Sequence, residues 1–256
     1  MAVQSIERAM AILMLFSVHR TRIGITEIAR ELQLTKPTVH GIVKTLEQGE
    51  FLQRDEESKK YSLGLAAYEL GLIIGNNLEI NQKAGELAQL LSQEMGLVCR
   101  VGVWSKESVL VVLNKVPEGN ALFSHRYSPR IPAYCTVLGK AMLAFLPADE
   151  LAAYLVSHRL EKMTNRTITD EKALRDDLQE TLARGFAVTR GEYSVTTWGV
   201  AAPLFNLHGR LYGAISLSGA ESEIFGAMYE KIIDRLIAVS RTISMSMGFA
   251  NTPGSR

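Results

Sequence analysis

Lys36, Thr38, His40, Gly41, Lys44 and Thr45 fall on one face of an expected helix, opposite Val39, Ile42, Val43 and Leu46 at i, i+3, i+4 and i+7. An apolar back seats such a helix, while short polar and basic groups in front can meet base edges and phosphates in a major groove. A second pair could do different chemistry. Ser216 and Ser218 alternate with Ile215 and Leu217 on an expected strand, so both hydroxyls face one side of it. There they can donate to a carboxylate, or be satisfied by backbone. Tyr134, Thr136, Val137 and Leu138 lie where another helix is expected to begin, and free N–H groups at a helix start favour an anion.

Enzymatic signatures are weak by comparison. Leu138-Gly139-Lys140-Ala141 has the Gly-Lys of a phosphate loop, without the earlier glycine or the following Ser/Thr. Ser216-Leu217-Ser218-Gly219 lacks the two flanking glycines of a nucleophile elbow. His19, His40, His125, His158 and His208 are scattered, and Cys99 and Cys135 lack metal spacing, so neither a metal nor a cofactor is expected. Asp176-Asp177 and Glu56-Glu57 are sequence neighbours whose side chains diverge, which reads as solvated faces.

The elements that must position these residues follow from periodicity and caps. Ile28, Ala29 and Leu32 mark a first short helix with Thr26 as its expected cap, and Leu34 plugs the turn. Thr35 caps the second helix, Pro37 occupies its first turn and Gly49 ends it. Residues 51–63 read as a short hairpin with a polar tip, bringing Arg54, Lys59 and Lys60 to a phosphate backbone as the wing of a winged helix-turn-helix. An ordinary helical hairpin packed on a core would share the same periodicity. Ser5–Ser17 is an amphipathic helix, 64–76 a linker helix and 80–95 a further helix ended by Gly96. Beyond it come a hairpin around 105–108, a strand at 121–127, helices at 136–145, 147–158 and 169–184, strands at 186–189, 200–205 and 211–218, a closing helix at 224–247 and a tail. Mixed strands and helices indicate an α+β domain.

Composition narrows the classes. A chain of 256 residues with 47% hydrophobic content suits two modest domains. Net charge is +1, and residues 1–62 carry nine Lys/Arg against eight Asp/Glu, so DNA binding must rest on where a few cations stand. Two cysteines fit a reducing cytoplasm. Glu7 and Arg8 interrupt the N-terminal apolar run and no stretch reaches 18 uncharged apolar residues, so neither a secretory leader nor a membrane span is expected.

The stretches SIERAMAIL, TVHGIVKTLEQGEFL and KYSLG, then PAYCTVLGKAMLAFLP, TITDEKALRDDLQETLARGFAV and GEYSVTTWGVAAPLFNLHGRLYGAISLSG, resemble the IclR family of bacterial transcriptional regulators over nearly the whole chain. The resemblance implies a winged helix-turn-helix over 1–62, a linker helix over 63–76, a GAF-like effector-binding domain over 77–249 and a tail over 250–256. It implies operator DNA and a small organic acid as partners, control of a catabolic operon, and a homodimer or homotetramer joined partly through the first helix. DNA contact is expected from Thr26, Thr35, Lys36, Pro37, Thr38, His40, Gly41, Lys44, Thr45, Arg54 and Lys59. The effector is expected among Tyr134, Thr136, Val137, Leu138, Thr189, Trp198, Gly199, Ser216 and Ser218.

Two departures from the family pattern matter. Its usual Lys-Ser-Thr-Val-His-Arg reads Lys36-Pro37-Thr38-Val39-His40-Gly41 here. Members that sense small keto acids place Asp at Thr189, Cys at Gly199 and small residues at Val137 and Leu138. A larger, partly apolar or aromatic acid, or a sugar acid, is therefore expected, held by the serines and lying against Trp198. The competing class is a metabolite-binding enzyme or scaffold whose helix pair is purely structural.

Overall fold

The computed structural model describes residues 2–118 and 128–250; the strand expected at 121–127, His125 and the tail from Asn251 lie outside them. Two compact units divide the chain at Asn77 and Leu78.

The first unit begins with α1 (Gln4–Met14), whose residues serve two directions. Ile12 is fully buried, and Leu13, Leu15 and Phe16 pack beside it, whereas Val3, Ile6, Met10 and Met14 form an exposed stripe on another side. Ile12 thus faces the core and leaves the partner-facing side to that stripe. α2 (Ile25–Glu31) and α3 (Lys36–Gln48) pack against it through Ile28, Ala29, Val39 and Val43. Gly24, not Thr26, occupies the cap of α2. Glu27 reaches back from the third helical position, its Oε2 accepting the Gly24 N–H at 2.8 Å, which leaves Thr26 exposed one residue inside the helix.

Strands β1 (Leu52–Arg54) and β2 (Tyr61–Leu63) form the antiparallel hairpin, and Leu52 and Tyr61 anchor it in the core. At the tip, Asp55 Oδ1 accepts the Ser58 N–H at 2.8 Å and its hydroxyl at 2.6 Å. These bonds hold the Asp55 carboxyl below the usual carboxylate range. Gly64 closes the hairpin against Glu50 so tightly that a Cβ would lie 2.1 Å from the Glu50 carbonyl oxygen. α4 (Leu65–Asn77) follows with no buried residue. Leu65, Tyr68, Leu70, Leu72, Ile73 and Ile74 are all exposed on it.

The second unit opens with α5 (Glu79–Met95), stopped by Gly96 at φ +66°. β3 (Val98–Ser105) and β4 (Ser108–Lys115) form a hairpin whose turn residues, Lys106 and Glu107, both adopt positive φ. β5 (Arg130–Ile131) was not expected from the sequence; it is two residues long and pairs with β4. Helices α6 (Val137–Leu143), α7 (Ala148–Ser157) and α8 (Glu171–Arg184) precede β6 (Ala187–Arg190), β7 (Trp198–Phe205) and β8 (Leu211–Gly219). The six strands lie in the order β5-β4-β3-β8-β7-β6, every neighbour antiparallel.

The closing helix expected from 224 starts later, as α10 (Tyr229–Ser246), and the short α9 (Glu221–Ile224) precedes it. α10 and α5 cover one face of the sheet, burying Cys99, Val101, Val200, Ala202, Ile215 and Leu217. Alternation sends the intervening residues, Arg100, Gly199, Ala201, Ser216 and Ser218, to the face that α6 covers.

Candidate functional site

On the first unit, α3 presents Lys36, Pro37, His40, Gly41, Lys44 and Thr45 to solvent. Several of its hydroxyls are already used within the helix. Thr35 Oγ1 accepts the Thr38 N–H at 3.4 Å and lies 2.8 Å from Thr38 Oγ1, and the Thr45 hydroxyl donates to the Gly41 carbonyl at 3.1 Å. At Gly41 a Cβ would meet nothing within 4 Å, so this helix has a gap in its outer face.

Ion pairs sort the surrounding cations. Arg20 pairs with Glu31, Arg22 with Asp55 at 3.1 Å, Lys59 with Glu56 at 3.2 Å and Lys60 with Glu27 at 3.3 Å. Lys36, Lys44 and Arg54 are exposed and form no ion pair among the described residues. Lys59 thus carries a neighbouring carboxylate that Arg54 does not.

On the second unit, two rows cross the sheet beneath the start of α6. Thr189, Gly199, Ser218 and Val98 are successive register partners, and so are Ala187, Ala201, Ser216, Arg100 and Asn114. Ser216 and Ser218, 1% and 6% exposed, therefore share a buried face, as the alternation in sequence requires. Ser216 Oγ lies 3.5 Å from the Arg100 carbonyl oxygen, whereas Ser218 and Thr189 make no side-chain hydrogen bond among the described residues.

Val137 and Leu138 join this face from α6. Val137 Cγ1 lies 3.2 Å, and Ser218 Oγ 3.1 Å, from where a Gly199 Cβ would stand. Gly199 therefore does not open space; it lets Val137 and Ser218 close in. Leu138 Cδ1 is 3.4 Å from the corresponding point at Gly102.

Three expected site residues do not join them. Trp198 precedes Gly199 on the same strand and so points the other way, into the α5/α10 core, with Phe225 edge-on at 5.5 Å and the Arg166 guanidinium 4.7 Å from its ring. Tyr134 is buried with its hydroxyl donating to the Glu161 carbonyl at 2.8 Å, and burial pushes that phenol above its usual range. Thr136 caps α6 itself: its Oγ1 accepts the Gly139 N–H at 3.3 Å and donates to the Pro132 carbonyl at 2.5 Å. The cap satisfies a donor the sequence left for an anion, and α6 has only seven residues.

Charged residues missed from sequence lie nearby. Lys140 is fully buried, its Nζ 2.8 Å from Glu192 Oε1, 2.9 Å from Asp177 Oδ2 and 3.4 Å from the Val188 carbonyl. Asp177, expected on a solvated face, is instead partly buried by this ammonium. The Asp177 contact is an ion pair by distance without hydrogen-bond geometry, and Glu192 Oε2 is buried without a hydrogen bond among the described residues. Burial holds the Glu192 carboxyl above the usual range, with Asp177 reinforcing and Lys140 opposing that shift. Arg100, half-buried, is the other: its Nε donates to Asn114 Oδ1 at 2.9 Å. Alternation along β3 could have set Arg100 opposite Cys99 and Val101, but only the pairing of β3 with β8 places it beside Ser216.

Comparison with known proteins agrees across both units. Residues 5–56 match the IclR helix-turn-helix domain, and 74–245 match the bacterial transcriptional regulator IclR C-terminal family. The HTH-type transcriptional regulator XynR of Escherichia coli is 29% identical over 96% of this chain and 98% of its own length. KdgR of the same organism is 26% identical, covering 98% and 95%. An IclR transcriptional regulator from Alicyclobacillus acidocaldarius superposes with a TM-score of 0.86 at 25% identity, covering 97% of this chain and all of that one. An IclR homolog from Microbacterium hydrocarbonoxydans, complexed with 4-hydroxybenzoate, superposes at 0.80 with 23% identity, covering 95% and 98%. No helix among the described residues is long and apolar enough to cross a membrane. With a winged helix-turn-helix ahead of an α+β effector-binding domain, and family matches spanning both, the chain belongs to the IclR family of bacterial transcriptional regulators.

Proposed function

We propose that this regulator binds operator DNA as a homodimer or homotetramer in the cytoplasm and answers to an organic acid that its catabolic operon serves. The observation carrying the effector reading is Ser218: only 6% exposed, it makes no side-chain hydrogen bond among the described residues and stands on the face shared by Thr189, Ser216 and Arg100. A carboxylic acid with a partly apolar body suits those donors and the Val137 and Leu138 side chains above them. The fold alone accommodates an aromatic acid in the Microbacterium homolog, where 4-hydroxybenzoate is bound. Trp198, on the other face of the sheet, has no part in this site.

A melting assay tests the reading with glyoxylate, pyruvate, 4-hydroxybenzoate and gluconate. A ligand present at about 100 times its dissociation constant adds about 2.7 kcal/mol, which raises a melt of this size by about 5–10 °C. We expect 4-hydroxybenzoate or gluconate to do so, and the Ser216→Ala/Ser218→Ala protein to respond less. A shift from glyoxylate alone, or an undiminished response in the double variant, refutes this placement of the effector.

DNA contact falls on Lys36, His40 and Lys44 of α3 and on Arg54 of β1, with Thr26, Thr35, Pro37, Thr38, Thr45 and Lys59 at the margins. Gly41 forfeits a side chain at the centre of that face, so modest affinity per half-site follows. Lys36→Ala and Lys44→Ala should each flatten the salt dependence of operator binding by about 0.9 per bound subunit. Fluorescence anisotropy on a duplex selected from a random pool gives the slope, and unchanged slopes in both variants exclude these contacts.

The stripe Val3, Ile6, Met10 and Met14 on α1 and the apolar residues of α4 support self-association, because a single small unit leaves them in water. Two recognition helices then meet successive major grooves about 34 Å apart. Light scattering should find a dimer or larger at working concentration; a monomer with full operator affinity rules the assembly out.

A further inference from the structure

Glycine inside a helix weakens it relative to alanine, and it stands there where packing or a close approach from outside requires it. Gly41 lies inside α3, and a Cβ there would meet nothing within 4 Å, so the fold itself makes no demand for glycine. At about 100° per residue, Pro37, Gly41 and Thr45 follow one another down the outer face, opposite buried Val39 and Val43. Lys36, His40 and Lys44 run along one side of them. None of the three gives a base a free side-chain donor. Pro37 has no N–H, Gly41 has no side chain, and the Thr45 hydroxyl donates to the Gly41 carbonyl at 3.1 Å. What they present is carbon: a pyrrolidine ring, a bare Cα and a threonine methyl.

The 5-methyl group of thymine is the apolar feature that bases present to the major groove. With no side chain at the centre of its outer face, α3 can sink until its backbone nears the floor of the groove. The Pro37 ring and the Thr45 methyl, about one turn to either side, then press against the base edges. We infer that α3 reads thymine methyl groups through Pro37, Gly41 and Thr45, while Lys36 and Lys44 alongside hold phosphates. This rests on the reading of α3 as the helix that meets operator DNA, and it names the feature of the bases that helix selects. Apolar contact gains free energy without a hydrogen bond, so discrimination comes in small steps, one for each thymine. Pro37 and Thr45 are about 12 Å apart along the helix, so the thymines concerned fall within about four base steps of one another in each half-site.

A duplex selected from a random pool by the full chain supplies the test. Its half-site thymines are replaced singly by deoxyuridine, which removes the methyl and keeps the pairing. Fluorescence anisotropy should find binding about fourfold weaker at about two positions, the value of one buried methyl group. The salt slope should not change, because no charge is lost. Thr45→Ser keeps the hydroxyl and loses the methyl. It should bind the thymine duplex about fourfold more weakly and be indifferent to deoxyuridine at the base that Thr45 faces. Gly41→Gln puts a good helix former where the fold has room, so the free protein should melt higher while its affinity for the selected duplex falls. Those opposite signs separate a blocked approach from misfolding. A selected site without thymine in its half-sites, or equal binding of every deoxyuridine duplex, overturns the methyl readout. So does a methyl effect that neither variant alters at any position, or wild-type affinity in Gly41→Gln. Each of these leaves the α3 reading in place if Lys36→Ala or Lys44→Ala flattens the salt slope; unchanged slopes in both overturn the two together.

Discussion

Lys140→Met should destabilise the second unit by about 3–5 kcal/mol, the cost of leaving buried carboxylates without their cation. Lys140 has no exposed surface, and its ammonium stands within 2.9 Å of both Asp177 Oδ2 and Glu192 Oε1. Methionine fills the same volume, so the loss measures charge rather than packing. Both tryptophans, Trp104 and Trp198, lie in this unit, so tryptophan fluorescence in urea reports its unfolding alone.

The pH dependence has a definite sign. Burial raises the Glu192 carboxyl in the folded state, so its contribution to stability is present below the unfolded value and is lost as pH rises through the folded one. Without Lys140 that carboxyl rises further. The deficit of Lys140→Met should therefore be smaller at pH 5 than at pH 7.5, and adding Glu192→Gln should recover part of it at the higher pH. A variant within 1 kcal/mol of wild type at both pH values, on the scale of an exposed pair, would show that the network holds nothing together.

Gly139→Ala should cost about 3 kcal/mol or more, the upper range for overpacking, and should abolish effector binding. A Cβ at Gly139 would lie 2.2 Å from both the Cα and the carbonyl oxygen of Ala133, where no side-chain rotation can relieve it. The start of α6 must then lift from residues 133–136, carrying Val137 away from Gly199 and Ser218 and pulling Lys140 off its carboxylates. Stability from urea and affinity for the organic acids should fall together, while DNA binding by the first unit in the absence of effector should persist. If the alanine protein melts with wild type, the close approach at Ala133 is not what positions α6.

Much of this protein is local and therefore readable from its residues in order. Helical spacing places α2, α3 and their turn, and Thr35, Gly49, Gly96 and Gly185 mark ends that short-range hydrogen bonds enforce. Strict alternation puts Ser216 and Ser218 on one face before any partner strand is known. Which face it is, and what else reaches it, depends on register. Trp198 and Gly199 are neighbours in sequence and opposites across the sheet. Arg100 meets Ser216 and Asn114 only because β3 pairs between β8 and β4. Gly139-Lys140 reads in isolation as a failed phosphate loop; its glycine is needed for Ala133 and its lysine for carboxylates on α8 and beyond β6. Single residues display periodicity and caps, whereas the neutralisation of a buried charge exists only once distant segments have packed.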